Sequence, residues 1–284
     1  MSVRIIVDST VDMAPGLEKK VGIVPLTIHF GEKEYVSGVD IDAQRFYEML
    51  VESDTLPTTS QPTPFAFEQV FGEAVSAGDS VVCITIASKL SGTYQSAVIA
   101  AQAYPGKVFV VDSKSATIGS GVLAQYALEL ADQGMNAAEI ALNLLGKREK
   151  VRILAMVDTL EYLKKGGRIS ATVAFAGGLL NIKPVITVED GEVKMLGKAR
   201  GSKQANNLLV QEIQKAGGVD FEKPVLLGYT GLSDAMLRKY ITDSAALWEN
   251  SLDALPSTIV GSVVGTHVGP GAVAVAFFAA KKPL

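Results

Sequence analysis

The sequence predicts an α/β fold: a first half built on a mostly parallel sheet flanked by helices, and a second half whose sheet is mixed or antiparallel. Three observations carry the prediction. VRIIVD (3–8) and KVFVV (107–111) are short, nearly unbroken apolar runs, the pattern of strands buried on both faces. Each leads into an Asp-Ser pair ahead of a helical stretch, Asp8-Ser9 and Asp112-Ser113, a weak echo of repeated βα units. Beyond about residue 151 the style changes, and PVITVEDGEVKML (184–196) reads as a hairpin turning at Asp190-Gly191.

Length and composition set the outer limits. The 284 residues, 48% of them hydrophobic, suffice for one large domain or two ordinary ones. A net charge of −4 shows no basic excess, which argues against a nucleic-acid surface. The single Cys83 lies in the apolar run VVCIT, so no disulfide framework exists and a reducing compartment is expected. MSVRIIVDST has no signal-peptide core, and the apolar AVAVAFFAA is too short to span a bilayer. A soluble cytoplasmic protein is expected, with transient membrane contact at most.

Taken in order, the strand at 3–8 leads into Asp8-Ser9-Thr10-Val11-Asp12, with Pro15 just inside a short helix. Asp8 and Asp12 could hold a metal or accept a phosphoryl group, but such pairs more often order a loop through bonds to the backbone. Gly22 to Phe30 is one apolar run, and Gly31-Glu32-Lys33 turns it toward Tyr35. Asp42 caps a helix over 43–52. LPTTSQPTP (56–64) reads as a proline-stiffened loop rich in hydroxyls, with Pro64 opening the next helix. Helices follow over 65–77, 93–104 and 118–133, and Asn136 caps another. Strands are expected at 80–86, 151–158 and 224–230, and helices at 159–165, 202–216 and 233–247.

Three stretches look chemical. ITIASKLSGTYQSA (84–97) is a strand, a turn of small hydroxyl residues and a helix. Ligands of open α/β sheets bind at such strand ends, where helix N-termini favour an anion. Ser91 and Thr93 add hydroxyls, and Gly92 allows close approach. A carboxylate or phosphate suits the turn, although Ser and Thr also cap helices with nothing bound. Lys164-Lys165-Gly166-Gly167-Arg168 is a glycine-hinged loop with three cations, suited to phosphate or a docking partner, or simply a basic helix end with a Gly stop. His267 stands among glycines in GTHVGPG, a loop flanked by strand-like runs, and can hydrogen-bond an anion. His29, in an apolar stretch, reads as structural.

Together these segments resemble the DegV family of bacterial fatty acid-binding proteins. The carriers of the resemblance are VDST with Asp12, TSQP (59–62), LSGTYQSA (90–97), DSKSATIGSG (112–121), LKKGGRIS (163–170), IKPVITVEDGEV (182–193) and THVGPGAVAVAF (266–277). The resemblance implies two α/β domains, divided here as 1–155 and 156–284, with one long-chain fatty acid in a tunnel between them. It implies that Thr59 and Ser91 hold the carboxylate, with Gly92, Thr93 and His267 beside it. Arg168 maps to the head-group region and to kinase docking. The family includes the carrier subunits of bacterial fatty acid kinase, where a separate ATP-binding subunit phosphorylates the bound acid. The implied role is therefore a non-catalytic carrier with no cofactor beyond the lipid. The apolar run 171–180 is a candidate for the tunnel lining.

Two rivals remain on chemical grounds. Ser91 with His267 could form a hydrolase dyad, although Ser91 is not in a G-x-S-x-G elbow. A phosphotransferase acting alone would need a nucleotide motif, and no G-x-x-x-x-G-K-[ST] loop is present.

Overall fold

Three sheets organise the described residues, which are 2–170, 181–248 and 255–282 of the computed structural model. The chain opens with β1 (Val3–Asp8) and, after a single 3-10 turn at Leu17–Lys20, β2 (Gly22–Val24). Pro15 lies before that turn, so the helix expected around it is reduced to one turn. The apolar run 22–30 is not one strand. It breaks at Pro25, which has no N–H to continue a ladder. The chain leaves the first sheet there and enters β3 (Thr27–Phe30) and β4 (Lys33–Val36) of a second. Asp42 accepts from the Arg45 N–H at 2.7 Å and starts α1 (Ala43–Glu52).

The segment read as a stiff loop contains a strand. β5 (Thr58–Ser60) pairs antiparallel with β3 and sets Thr59 opposite Ile28. Thr63 caps α2 (Pro64–Ser76), with Pro64 in its first turn. Then come β6 (Ser80–Thr85), α3 (Thr93–Ala101), β7 (Val108–Asp112), α4 (Thr117–Asp132) and α5 (Ala137–Lys147). Asn136 and Glu139 form the capping box of α5. Strands β2-β1-β6-β7 make a four-stranded parallel sheet, as the apolar runs predicted.

The rest of the chain builds a six-stranded mixed sheet. Its members are β8 (Val151–Met156), β9 (Ile182–Glu189), β10 (Glu192–Arg200), β11 (Leu226–Tyr229), β12 (Ser257–Ile259) and β13 (Val273–Phe278), in the order β10-β9-β8-β13-β11-β12. Only β11 and β12 are parallel neighbours. The β9–β10 turn has φ 51° at Asp190 and 77° at Gly191, the left-handed pair that a two-residue hairpin needs. The remaining helices are α6 (Glu161–Lys165), α7 (Gly201–Lys215), α8 (Ala235–Asp243), α9 (Ala245–Trp248) and α10 (Ser262–Val268). The helix expected over 233–247 is thus two. Its break is at Ser244, whose hydroxyl donates to the Tyr240 carbonyl and accepts from Trp248 Nε1.

Helix α4 is the centre of the packing. It is apolar nearly all round, and its buried Ile118, Val122 and Leu123 share one core with Ile5 and Ile84 of the parallel sheet and Ile153 and Ala276 of the mixed sheet. Helices α2 and α3 cover the outer face of the parallel sheet, and α7 and α8 that of the mixed sheet. The layers leave a seam where the strand ends of both sheets meet α10.

Candidate functional site

That seam holds a mostly apolar cavity that opens to solvent, with ≈ 920 Å³ of atom-free space once the open mouth is included. Its walls come from every sheet. Ile86 and Leu90 follow β6, Ile153 and Ala155 lie on β8, Ile186 and Val188 on β9, and Val264 and Val268 on α10. The tip of the β9–β10 hairpin closes against the Ser91 turn, with Lys89 Nζ 3.3 Å from Glu192 Oε1.

Part of the cavity wall is polar. Thr59, Ser91, Arg168 and His267 all line it, although they lie far apart in the chain. Thr59 Oγ1 is 2.9 Å from His267 Nε2. Ser91 Oγ is 2.8 Å from Thr93 Oγ1 and accepts from the Thr93 N–H at 3.3 Å. Arg168 Nε donates to the Leu90 carbonyl at 3.2 Å and Nη1 to the Gly166 carbonyl at 2.5 Å. The guanidinium thereby ties the glycine-hinged loop to the Ser91 turn.

Two predicted residues stand behind this surface. Gly92 and Thr93 do not line the cavity. Thr93 is fully buried and holds the Ser91 hydroxyl in place. At Gly92 a side chain would collide with Gln61, whose Nε2 donates to Ser96 Oγ at 3.1 Å. The absent side chain therefore makes room for Gln61. The backbone N–H groups of Leu90 and Ser91 are not free either: both donate to the Ala87 carbonyl. The hydroxyls, rather than those two amides, are the donors that this turn presents.

His267 is not on a loop. It sits in the last turn of α10, ahead of Gly269, whose φ of 73° stops the helix. The sequence masks this helix because Gly261, Gly265 and a run of valines read as strand and turn. Tertiary contacts create it. A Cβ at Gly265 would lie 2.6 Å from Tyr47 Oη, so only glycine lets α10 press onto α1. Burial, and next the charge of Arg168, lower the His267 pKa from 6.5 to about 4. The imidazole is neutral near pH 7. Its Nδ1 is buried without a hydrogen-bond partner among the described residues and packs against Gly166.

The family model described as "Uncharacterised protein, DegV family" matches residues 2–280. The chain belongs to the DegV family. A fatty acid-binding DegV protein from Thermus thermophilus is 33% identical, with 98% of this chain and 100% of that chain covered and a TM-score of 0.83. A stearic acid-binding protein from Eubacterium ventriosum is 30% identical, with 97% of each chain covered and a TM-score of 0.83. The Streptococcus pneumoniae Fatty Acid Kinase (Fak) B3 protein, loaded with linoleic acid, shares the fold at 24% identity, covering 98% of this chain and 99% of that one, with a TM-score of 0.82.

The DegV chain carries further site features that its sequence showed only in part. Asp8 is fully buried and accepts from Thr10 N, Thr10 Oγ1 and Ile86 N, all within 2.8 Å. Asp12 accepts from Thr117 Oγ1 at 2.5 Å and from Gly261 N, at the start of α10, at 2.9 Å. These bonds are the loop-ordering role expected of the pair, extended to the helix that carries His267. Burial, outweighing these two bonds, raises the Asp12 pKa to about 7. Thr10 and Thr117 line the cavity and were not singled out from sequence. Thr117 has φ 45°, an uncommon left-handed conformation for a β-branched residue. The run 171–180, expected in the lining, lies outside the described residues.

Ser91 and His267 have other partners, which weighs against a hydrolytic dyad. His267 Nε2 bonds Thr59 and Ser91 Oγ bonds Thr93, and among the described residues no carboxylate orients His267 Nδ1. Among the described residues no group of three or more His, Cys, Asp or Glu gathers as metal ligands, and no helix is long and apolar enough to cross a membrane.

Proposed function

We propose that this DegV protein binds one long-chain fatty acid. Its carboxylate sits at Thr59 and Ser91 beside His267, and its tail runs along the apolar seam. The observation that carries this reading is the convergence of Thr59, Ser91, Arg168 and His267 on the wall of a mostly apolar cavity. The two similar solved structures that bind fatty acids support it.

The chemistry divides cleanly. Burying about fourteen CH₂ groups at ~0.8 kcal/mol each contributes roughly 11 kcal/mol before association entropy is subtracted. A buried carboxylate is costly unless several donors meet it. The hydroxyls of Thr59 and Ser91 supply two, the Arg168 guanidinium lies nearby, and the neutral imidazole orients the Thr59 hydroxyl through Nε2. Thr93 orients Ser91, and Gly92 leaves space for Gln61 behind it. The protein acts as a carrier without a cofactor of its own, and it presents the acid to a separate ATP-dependent kinase subunit. That partnership rests on the family resemblance and on the likeness in fold to the Fak B3 protein. We divide the chain just before Val151 rather than at 155, because β8 pairs with β9 and β13; the lipid lies between the two parts.

Native mass spectrometry of freshly purified protein, followed by lipid extraction, tests the reading. One fatty acid per chain is expected. A chain that neither retains nor takes up a fatty acid overturns it.

A further inference from the structure

Asp12 joins two helices that border the lipid cavity. Its Oδ2 is 2.5 Å from Thr117 Oγ1, in the first turn of α4, and its Oδ1 accepts from the Gly261 N–H, just ahead of α10, at 2.9 Å. Each side offers it a glycine. A Cβ at Gly121 of α4 would overlap the Asp12 carbonyl, and one at Gly261 would lie 2.9 Å from Oδ1. Thr117 lines the cavity, whereas Asp12 lines a separate depression that shares no lining residue with it. The Asp12–Thr117 bond therefore connects the lipid cavity to a surface where protons exchange with water. No Lys, Arg or His lines that depression, and its other acids are Glu18 and Asp42. From its own strand Asp12 meets the charge of Asp8, and from α1 the Tyr47 hydroxyl, with Tyr229 of β11 beside it. Helix α4 brings the uncharged Thr117, and α10 carries the neutral His267, beside Arg168, at its far end.

We propose that Asp12 is a positioning residue for the lipid: its proton decides which way the Thr117 hydroxyl points, and so adds or withdraws a donor in the cavity. The proposal rests on the fatty acid reading and deepens it. A backbone N–H only donates, so Oδ1 stays an acceptor and a proton on Asp12 belongs on Oδ2. With Asp12 ionised, the Thr117 hydroxyl donates to it. With Asp12 protonated, Oδ2–H donates to Thr117 Oγ1, and the hydrogen of Thr117 turns to the lipid cavity. The left-handed φ of Thr117, 45°, is a strain of the kind that persists where the surroundings fix a residue in place. A bound carboxylate adds a second negative charge near one that lacks a counter-ion, which favours protonated Asp12. By reciprocity, a proton on Asp12 favours the acid. Burial sets the titration of Asp12 at about 7, and His267 stays neutral through that range.

Calorimetry of delipidated protein with laurate, at pH 6 and pH 8, tests this. Laurate is an anion at both, so its own ionisation cancels between variants. Wild type is expected to bind about threefold or more tighter at pH 6. Asp12→Asn, whose amide donates to Thr117 at any pH, should bind equally at both, near the wild-type level at pH 6. Thr117→Val should lose the pH response, and Thr117→Ser should keep it. Wild type should also take up a fraction of a proton on binding at pH 7, read by repeating the titration in buffers of different ionisation enthalpy. That measurement needs no variant to fold. Three results overturn the proposal: no proton uptake by wild type, a wild-type pH response no larger than that of Asp12→Asn, or the full wild-type response in Thr117→Val. Failure of the wild-type chain to bind laurate at either pH is a different result, which overturns the fatty acid reading itself.

Discussion

Thr59 Oγ1 and His267 Nε2 lie 2.9 Å apart across 208 residues of chain. Their hydrogen bond joins β5 of the small antiparallel sheet to α10, and both residues line the apolar cavity. Loss of either partner is therefore felt at the polar part of the cavity wall.

Thr59→Ala and Ser91→Ala each remove one hydroxyl donor from the head group. Each is expected to weaken fatty acid binding by ~1–3 kcal/mol, the cost of an unmatched buried polar group. Titration of delipidated variants with palmitate reads the effect. Wild-type affinity in both would mean that the carboxylate lies elsewhere.

Thr93→Val keeps the shape of the side chain but removes the hydroxyl that meets Ser91 Oγ at 2.8 Å. Since Thr93 does not line the cavity, its effect must pass through Ser91. Fatty acid affinity should fall by about 1 kcal/mol, and Ser91→Ala should add little on top of Thr93→Val. Full additivity in that double-mutant cycle would separate the two residues.

Gly166 stands against the ring of His267. A Cβ there would overlap Nδ1, although the glycine's own φ of −74° is open to any residue. Gly166→Ala should thus act sterically, by displacing His267. The expected outcome is weaker fatty acid binding with a stability loss of ~1–3 kcal/mol, typical of overpacking. Binding and urea denaturation measured together test this, and unchanged binding would show that the imidazole position is not critical.

Two buried groups predict opposite pH dependences. Burial lowers the folded-state pKa of His267 from the ordinary 6.5 to about 4, so the unfolded chain binds the extra proton in that window. Its contribution to stability is lost as pH falls from 6.5 toward 4. Asp12 is raised from 3.8 to about 7, so the folded chain binds the extra proton there, and stability is lost as pH rises through that range. The trends offset each other in wild type, and variants separate them. Relative to wild type, His267→Gln should gain stability on acidification and Asp12→Asn should gain it as pH rises to neutrality, each on the order of 1–3 kcal/mol. Urea midpoints at acidic and neutral pH supply the measurement. A His267→Gln deficit that does not change with pH would show that burial leaves the imidazole's titration unaltered.

Local signals were legible wherever the physics is local. The apolar runs at 3–8 and 107–111 are parallel strands because neighbouring layers cover both their faces. Asp42 and Asn136 cap helices through bonds that span three residues. Asp190-Gly191 turns a hairpin because both positions take positive φ. The motifs that resemble the DegV family also named Thr59, Ser91, Arg168 and His267, which share one cavity wall.

The sequence by itself determined the class of fold, the caps, the hairpin and the residue types of the polar cluster, since each depends on neighbours a few positions away. Only the tertiary structure decided that Thr58–Ser60 is a strand, that His267 rides on a helix, and that Thr93 stands behind Ser91 rather than in the cavity. The reason is the same in each case. Strand β5 exists because β3 offers it a ladder, and α10 because Tyr47 packs at Gly265 and Asp12 receives the Gly261 N–H. Those partners are distant in the chain, and no short window of sequence contains both sides of the contact.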